Sequence, residues 1–369
     1  MNKILFLLVP ILFSACSEKE KPVFTIQGQI ENATSDYIIL NQESDIERKI
    51  ATTIDTIYLD NNGSFKAEFN NEPHYYTLVI NDSKTIPLII DKGQEIIINS
   101  DGSETKITGS KDTDLFMEYE SLRKESLDRL VESIRKQISS ESKTESPNPK
   151  TIDSLGKLEL KNYDLHLEEL NTFIKEKMGT SIALYPTSLR WKGKENIDFF
   201  DNLVTNFEKA HPNLKVTSRL REKVTRLQQT EIGGIVSDIV LNTSEGKSVS
   251  LFSIHKKYTL IDFWASWCGP CRRESSLLAN LYDTYKDSGF QIYGVSLDTN
   301  KEQWIKAIEK DKRIWPNVSS LDGFASKAAY DFTITALPDN YLIDGDGKII
   351  AKNLHGEKLE LLIDELMKE

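Results

Sequence analysis

The chain has 369 residues, 39% of them hydrophobic and 28% charged, with a formal net charge of −11. That length predicts more than one domain, and the apolar content is that of soluble globular material. The acidic balance excludes a general nucleic-acid binder, which needs a basic surface to neutralise phosphates.

The first residues read MNKILFLLVPILFSACSEKEKP. Lys3 is a short positive start, and Ile4 to Phe13 is an apolar run too short for a typical spanning helix. Ser14, Ala15 and Cys16 follow. Residues 1–15 resemble a bacterial lipoprotein signal peptide, although Phe13 stands where such leaders usually carry Leu. The resemblance implies cleavage before Cys16, lipidation of Cys16, and attachment to a membrane through the lipid chains. An ordinary secretory leader cut at Ala15 and an uncleaved apolar anchor are the alternatives. Residues 16–22 read as a polar tether.

Residues 23–110 read as strands. FTIQGQI, DYIILNQ, TIDTIYLD, GSFKAEF, YYTLVI, TIPLIID and QEIIINS are short β-branched and aromatic runs, separated by turn material such as DNNGS and DKGQ. This spacing predicts a small all-β sandwich or barrel-like domain. It resembles the β domain of unassigned function that precedes thioredoxin-like domains in envelope lipoproteins.

Residues 111–231 read as a helical region. Phe116, Tyr119, Leu127, Leu130, Val131, Ile134 and Ile138 share one helical face. The polar stretch SSESKTESPNPKT predicts a loop, with Ser154 or Thr151 near the next N-cap. Leu155, Leu158, Tyr163, Leu167, Leu170 and Ile174 continue a second amphipathic helix, and shorter helices follow.

Residues 232–369 alternate strands and helices, from a boundary at Ile232 to Gly234. YTLIDFW and FQIYGVSLD are apolar enough for buried strands, and RRESSLLANLYDTYKDSG is a helix ended by Gly289. DNYLIDGDGKIIAKN is a hairpin and EKLELLIDELMKE a last helix. The order predicts an α/β domain with a mixed sheet, so the whole chain is multidomain.

Two of the three cysteines, Cys268 and Cys271, lie in IDFWASWCGPCRRESS between the first buried strand and the first helix. A helix N-terminus presents unpaired N–H groups and a positive dipole end, which lowers the pKa of a thiol placed there. Pro270 suits the first helical turn, and Gly269 leaves the approach to Cys268 open. This spacing lets the two sulfurs bond without backbone movement. Cys268, at the exposed helix end, is the expected nucleophile, and Cys271, one turn in and more buried, the expected resolving thiol. Asp262 on the preceding strand is a candidate proton acceptor, because partial desolvation raises a carboxylate toward the working range. The other reading of Asp262 is a strand-end residue in a solvated hydrogen bond.

TLIDFWASWCGPCRRE resembles the thioredoxin superfamily, especially the TlpA/ResA-like thiol–disulfide oxidoreductases of the bacterial envelope. The resemblance implies a thioredoxin-like fold over residues 232–369 with a cis-proline loop facing the disulfide. Leu337 and Pro338 of ITALPDNYLIDGDGKII supply that loop, and Trp267 shapes the same site. The resemblance also implies that backbone groups preceding Pro338 pair with an incoming substrate strand. Two positions depart from the pattern. Ser276 stands where relatives often have Pro, and Asp339 where they commonly have Thr. An acidic group beside the disulfide disfavours the thiolate.

A zinc site needs four ligands, and none of the five histidines has companion spacing. A peroxiredoxin needs a lone peroxidatic cysteine instead of a helix-start pair. DGDGK lacks the closing ligands of a calcium loop and reads as a turn. The reading is therefore a lipid-anchored, periplasm-facing thiol–disulfide oxidoreductase that reduces exported proteins, without a cofactor, fed by a thiol electron donor at the membrane. Its rivals are an oxidase or isomerase of protein folding, and a ligand- or partner-binding lipoprotein whose redox domain is regulatory.

Overall fold

The computed structural model describes residues 23–81, 84–101, 104–192 and 196–368. The leader, Cys16 and the tether lie outside the described residues. Eight strands come first: β1 (Phe24–Ile30), β2 (Tyr37–Asp45), β3 (Ile50–Tyr58), β4 (Ser64–Phe69), β5 (His74–Ile80), β6 (Lys84–Ile90), β7 (Glu95–Ser100) and β8 (Thr105–Thr108). They form two four-stranded sheets, in the orders β4-β1-β7-β8 and β3-β2-β5-β6. β7 shows why they pack: Ile96 and Ile98 face inward while Ile97 faces out, the period of a half-buried strand. Phe24, Ile26, Leu40, Tyr76, Leu78 and Leu88 fill the space between the sheets. Parallel pairing of β1 with β7 sets Gly28 against Ile98, where a Cβ would lie 1.8 Å from the Ile98 carbonyl oxygen. β8 escaped the sequence reading because its four residues, TKIT, are a short polar edge.

The helical region opens with α1 (Lys111–Leu127), which passes through a π-turn into α2 (Ser133–Ser142). α3 (Pro149–Phe173) runs back along them. The expected cap moves: Asn148 caps α3 by accepting from the amides of Lys150 and Thr151, and Pro149 takes the first helical position, so Ser154 and Thr151 lie inside the helix. The intervening loop shrinks because α2 continues through Ser142. α4 (Leu184–Thr187), α5 (Ile197–Ala210) and α6 (Lys215–Gln229) complete this region. Its core includes Trp191 stacked on Phe200, and it also takes Ile89 from the β sandwich.

The C-terminal domain holds β9 (Val240–Thr243), β10 (Ser248–Ser250), α7 (Leu251–Ile254), β11 (Tyr258–Trp264), α8 (Gly269–Tyr285) and β12 (Phe290–Ser296). α9 (Lys301–Lys310), β13 (Asn317–Ser319), α10 (Lys327–Asp331), β14 (Asp339–Asp344), β15 (Ile349–Lys352) and α11 (Glu357–Leu366) follow. The sheet order is β10-β9-β13-β12-β11-β14-β15. β11 lies inside the sheet, parallel to β12 and antiparallel to β14, and all seven residues of the central strand β12 are buried. α8 runs unbroken through Ser276. Asp344 closes the β14–β15 turn by accepting from the amides of Asp346 and Lys348. Among the described residues no helix is long and apolar enough to cross a membrane.

Candidate active site

β11 ends at Trp264 and delivers the chain into Ala265–Cys268, a turn fixed from below. Asp298 accepts from the Ser266 amide at 2.9 Å and from Ser266 Oγ at 2.5 Å. Arg272, one turn into α8, pairs with Asp311 and donates to the Ser266 carbonyl at 3.3 Å. The turn therefore reaches α8 in one orientation, with Cys268 as N-cap and Pro270 in the first turn. Cys268 Sγ accepts from the Cys271 amide at 3.2 Å, so a backbone donor and the positive helix end both favour negative charge on that sulfur.

The two cysteines form a disulfide with their Cα atoms 5.4 Å apart. Their burial departs from the sequence expectation. Cys268 is 4% exposed and Cys271 3%, so exposure does not distinguish them. Trp264, Trp304, Ala307 and Leu337 pack around the sulfurs, and this packing leaves Cys268 as covered as its partner. Trp267 is instead the exposed residue, 56% accessible, with Phe324 beside it at 6.1 Å between ring centroids. The Leu337–Pro338 peptide bond is cis, and Leu337 touches the cysteine cluster.

Asp262 lies within β11, buried, not at a solvated strand end. Its carboxylate pairs with Arg313, which follows α9 and is fully buried. Arg313 also donates to Ser275 Oγ at 2.8 Å on α8 and lies 3.8 Å from the Trp264 ring centroid. Burial raises the pKa of Asp262, and the charge of Arg313 works against that rise. Beside this pair, Glu274 of α8 accepts from the Gly356 amide at 2.8 Å and pairs with His355 at 3.0 Å. Burial opposes a charged His355, but Glu274 outweighs it and the histidine pKa is raised. Sequence reading missed Arg313, Glu274 and His355 as a set. Only the fold brings α8, the segment after α9 and the loop after β15 together.

Residues 232–352 match the AhpC/TSA family. The thiol-disulfide oxidoreductase ResA of Bacillus thuringiensis is 28% identical over 145 residues, 39% of this chain and 82% of that one. The ResA of Bacillus subtilis is 29% identical over 135 residues, 37% of this chain and 73% of that one. The C-terminal domain is a thioredoxin-like domain of the thiol–disulfide oxidoreductases. Among solved structures, the thioredoxin domain of a thiol-disulfide oxidoreductase from Bacteroides vulgatus is 37% identical, covering 37% of this chain and 98% of that one, with a TM-score of 0.36. A thiol-disulfide oxidoreductase from Bacteroides fragilis is 34% identical, covering 36% of this chain and 98% of that one, with a TM-score of 0.34. Residues 24–116 match a domain of unknown function, DUF4369.

Two of the ion pairs between the helical region and this oxidoreductase domain lie beside the redox site. Glu159 of α3 pairs with Arg273 at 3.1 Å, and Lys192 pairs with Asp339 at 3.2 Å. The acidic residue after Pro338 is thus matched by a cation from another part of the chain. Burial disfavours the charge on Lys192, but Asp339 outweighs burial and its pKa is raised.

Proposed function

We propose that the chain is an envelope-anchored, periplasm-facing reductant of disulfides in exported proteins, cycling between the Cys268/Cys271 dithiol and disulfide. The observation that carries it is Cys268 as N-cap of α8, its sulfur accepting from the Cys271 amide. Cys268 thiolate attacks one sulfur of the substrate disulfide, forming a mixed disulfide and releasing one substrate thiolate. Cys271 then loses its proton and attacks Cys268 Sγ, releasing the second substrate thiolate. Two electrons pass to the substrate, and the chain is left with the Cys268–Cys271 disulfide. A thiol protein at the membrane returns the electrons, so no bound cofactor is needed.

Asp262 is the proposed acceptor of the Cys271 proton, supported by a pKa that burial raises. Gly269 and Pro270 shape the approach to the nucleophile. Trp267, Leu337 and Pro338 form the face that a substrate meets. Lipidation of Cys16 rests on the leader sequence alone.

Reduction of a protein disulfide by the pre-reduced chain, with Cys268→Ala inactive and Cys271→Ser accumulating a mixed disulfide, tests the assignment. A reduction potential near −270 mV, about that of thioredoxin, fits a reductant; a value near about −120 mV makes the chain an oxidant and ends this reading.

A further inference from the structure

The redox face looks onto the helical region across a cleft of about 610 Å³. Trp267, Pro270 and Leu337 line one wall; Leu160, Tyr163 and Leu167 of α3 line the other. The two ion pairs described above fasten these walls. Arg273, two residues past Cys271, holds Glu159, which Arg135 also holds at 2.8 Å. Gly156 lets α3 come this near, since a Cβ there would sit 2.8 Å from Arg273 Nε. Lys192 fastens the other side through Asp339, the residue after Pro338. The two carboxylate side chains are 6% and 5% exposed, while Arg273 and Lys192 keep partial contact with water at 27% and 23%.

Hydrogen-bonding groups remain open inside the cleft. The backbones of Ala336 and Leu337, both cleft residues, enter no hydrogen bond among the described residues. Asp339 Oδ1 is buried at the cleft and finds no donor among the described residues. Buried groups of this kind are ordinarily paired, so a donor from a bound segment would complete them. An extended strand occupies roughly 4.8 Å by 10 Å in cross-section, so this volume takes about four residues of one strand. A folded domain of about 100 residues has a radius of gyration near 13 Å and cannot enter.

We propose that the cleft is a composite substrate site, which accepts a disulfide carried on a single extended polypeptide segment and rejects the same disulfide on the surface of a folded domain. Tyr163 is the specificity-determining residue on the helical wall. This proposal rests on the reductive reading above. It differs from recognition by the proline loop alone, because the second wall comes from a different part of the chain.

The full chain is pre-reduced and given three substrates: 2-hydroxyethyl disulfide, an unstructured peptide with one cysteine capped by 2-mercaptoethanol, and a folded domain with the same cap on an exposed helix. The expected kcat/KM for the peptide exceeds that for the folded domain by at least about tenfold. Tyr163→Ala raises KM for the peptide by about tenfold with little change in kcat. Equal kcat/KM for peptide and folded domain in the wild-type chain overturns the proposal, whatever happens to the variant. A variant that lowers kcat alone overturns the role of Tyr163. Failure to reduce even 2-hydroxyethyl disulfide strikes the redox reading itself, an outcome distinct from equal rates on the other two substrates.

Discussion

Replacing Arg313 by Met removes one charge from the deepest ion pair of the oxidoreductase domain. The Arg313 side chain is 0% exposed and that of Asp262 5%. Met fills the volume of the aliphatic stem, so the cavity term is small and the uncompensated carboxylate dominates. Breaking a buried pair from one side costs about 3–5 kcal/mol. For a domain of this size each kcal/mol moves the Tm by about 2–4 °C, which predicts a fall of about 6–20 °C at neutral pH. Asp262→Leu in the same chain removes the stranded charge and recovers much of the loss, with a coupling of at least about 2 kcal/mol in the double-mutant cycle.

The pH dependence has a definite sign. Burial already raises Asp262 above 3.8, and losing Arg313 removes the opposing charge, so its pKa rises further. A folded state with a raised carboxyl pKa binds more protons than the unfolded chain between 3.8 and that raised value. The variant therefore loses stability as pH rises through this window, and its deficit shrinks in acid. Urea melts of the oxidised protein at about pH 4 and about pH 7, followed by tryptophan fluorescence, measure both effects. A loss under about 1 kcal/mol, an identical deficit at both pH values, or no coupling in the cycle refutes this account of the pair.

His166 is held neutral: burial first, then the charges of Arg123 and Arg190, push its pKa down to about 4. The unfolded chain binds the extra proton between 6.5 and about 4, so the Tm falls on acidification through that range and His166→Gln flattens the curve. Glu274→Gln removes the negative charge that raises His355 above 6.5, while leaving an amide oxygen in its place. The lost stability, about 1 kcal/mol, is greatest below 6.5 and vanishes as pH rises through the raised pKa, so melts in acid and in alkali should differ. Gly28→Ala drives a methyl group into the Ile98 carbonyl, and loss of more than about 2 kcal/mol should appear as faster amide exchange in β7.

Local order was legible wherever neighbours in sequence are neighbours in space. The alternation of EIIINS marked β7, and the uninterrupted apolar runs of β11 and β12 marked the centre of the mixed sheet. The cysteine pair marked the start of α8 because Gly and Pro there have a conformational meaning. What stayed hidden is chemistry assembled across distance. Arg313 reaches Asp262 over 51 residues and Lys192 reaches Asp339 over 147, and neither spacing carries a local signal. The Asn148 cap was legible in principle: Asn-Pro ahead of an amphipathic run places the cap before the proline, and weight on the later Thr151 obscured it. Equal burial of Cys268 and Cys271 was not legible, because it depends on residues distant in sequence, Trp304 and Leu337, packing in one cluster with the cysteines.

These distant pairs hold the buried acids of the oxidoreductase domain. Two acids of the oxidoreductase domain are buried, Asp262 on β11 and Asp339 directly after Pro338. Each acid is met by one cation, Arg313 and Lys192 respectively. The amide at the start of α8 and the helix dipole favour negative charge on Cys268 Sγ. The two cations differ in origin. Arg313 belongs to the oxidoreductase domain and is fixed whenever that domain is folded. Lys192 belongs to the helical region, so the charge beside the proline loop is balanced only while that region is docked. Excising the thioredoxin-like domain therefore removes a compensating charge as well as a wall of the cleft. The acid at position 339 thus finds its cation in the helical region, so its charge is balanced by the part of the chain that precedes the oxidoreductase domain.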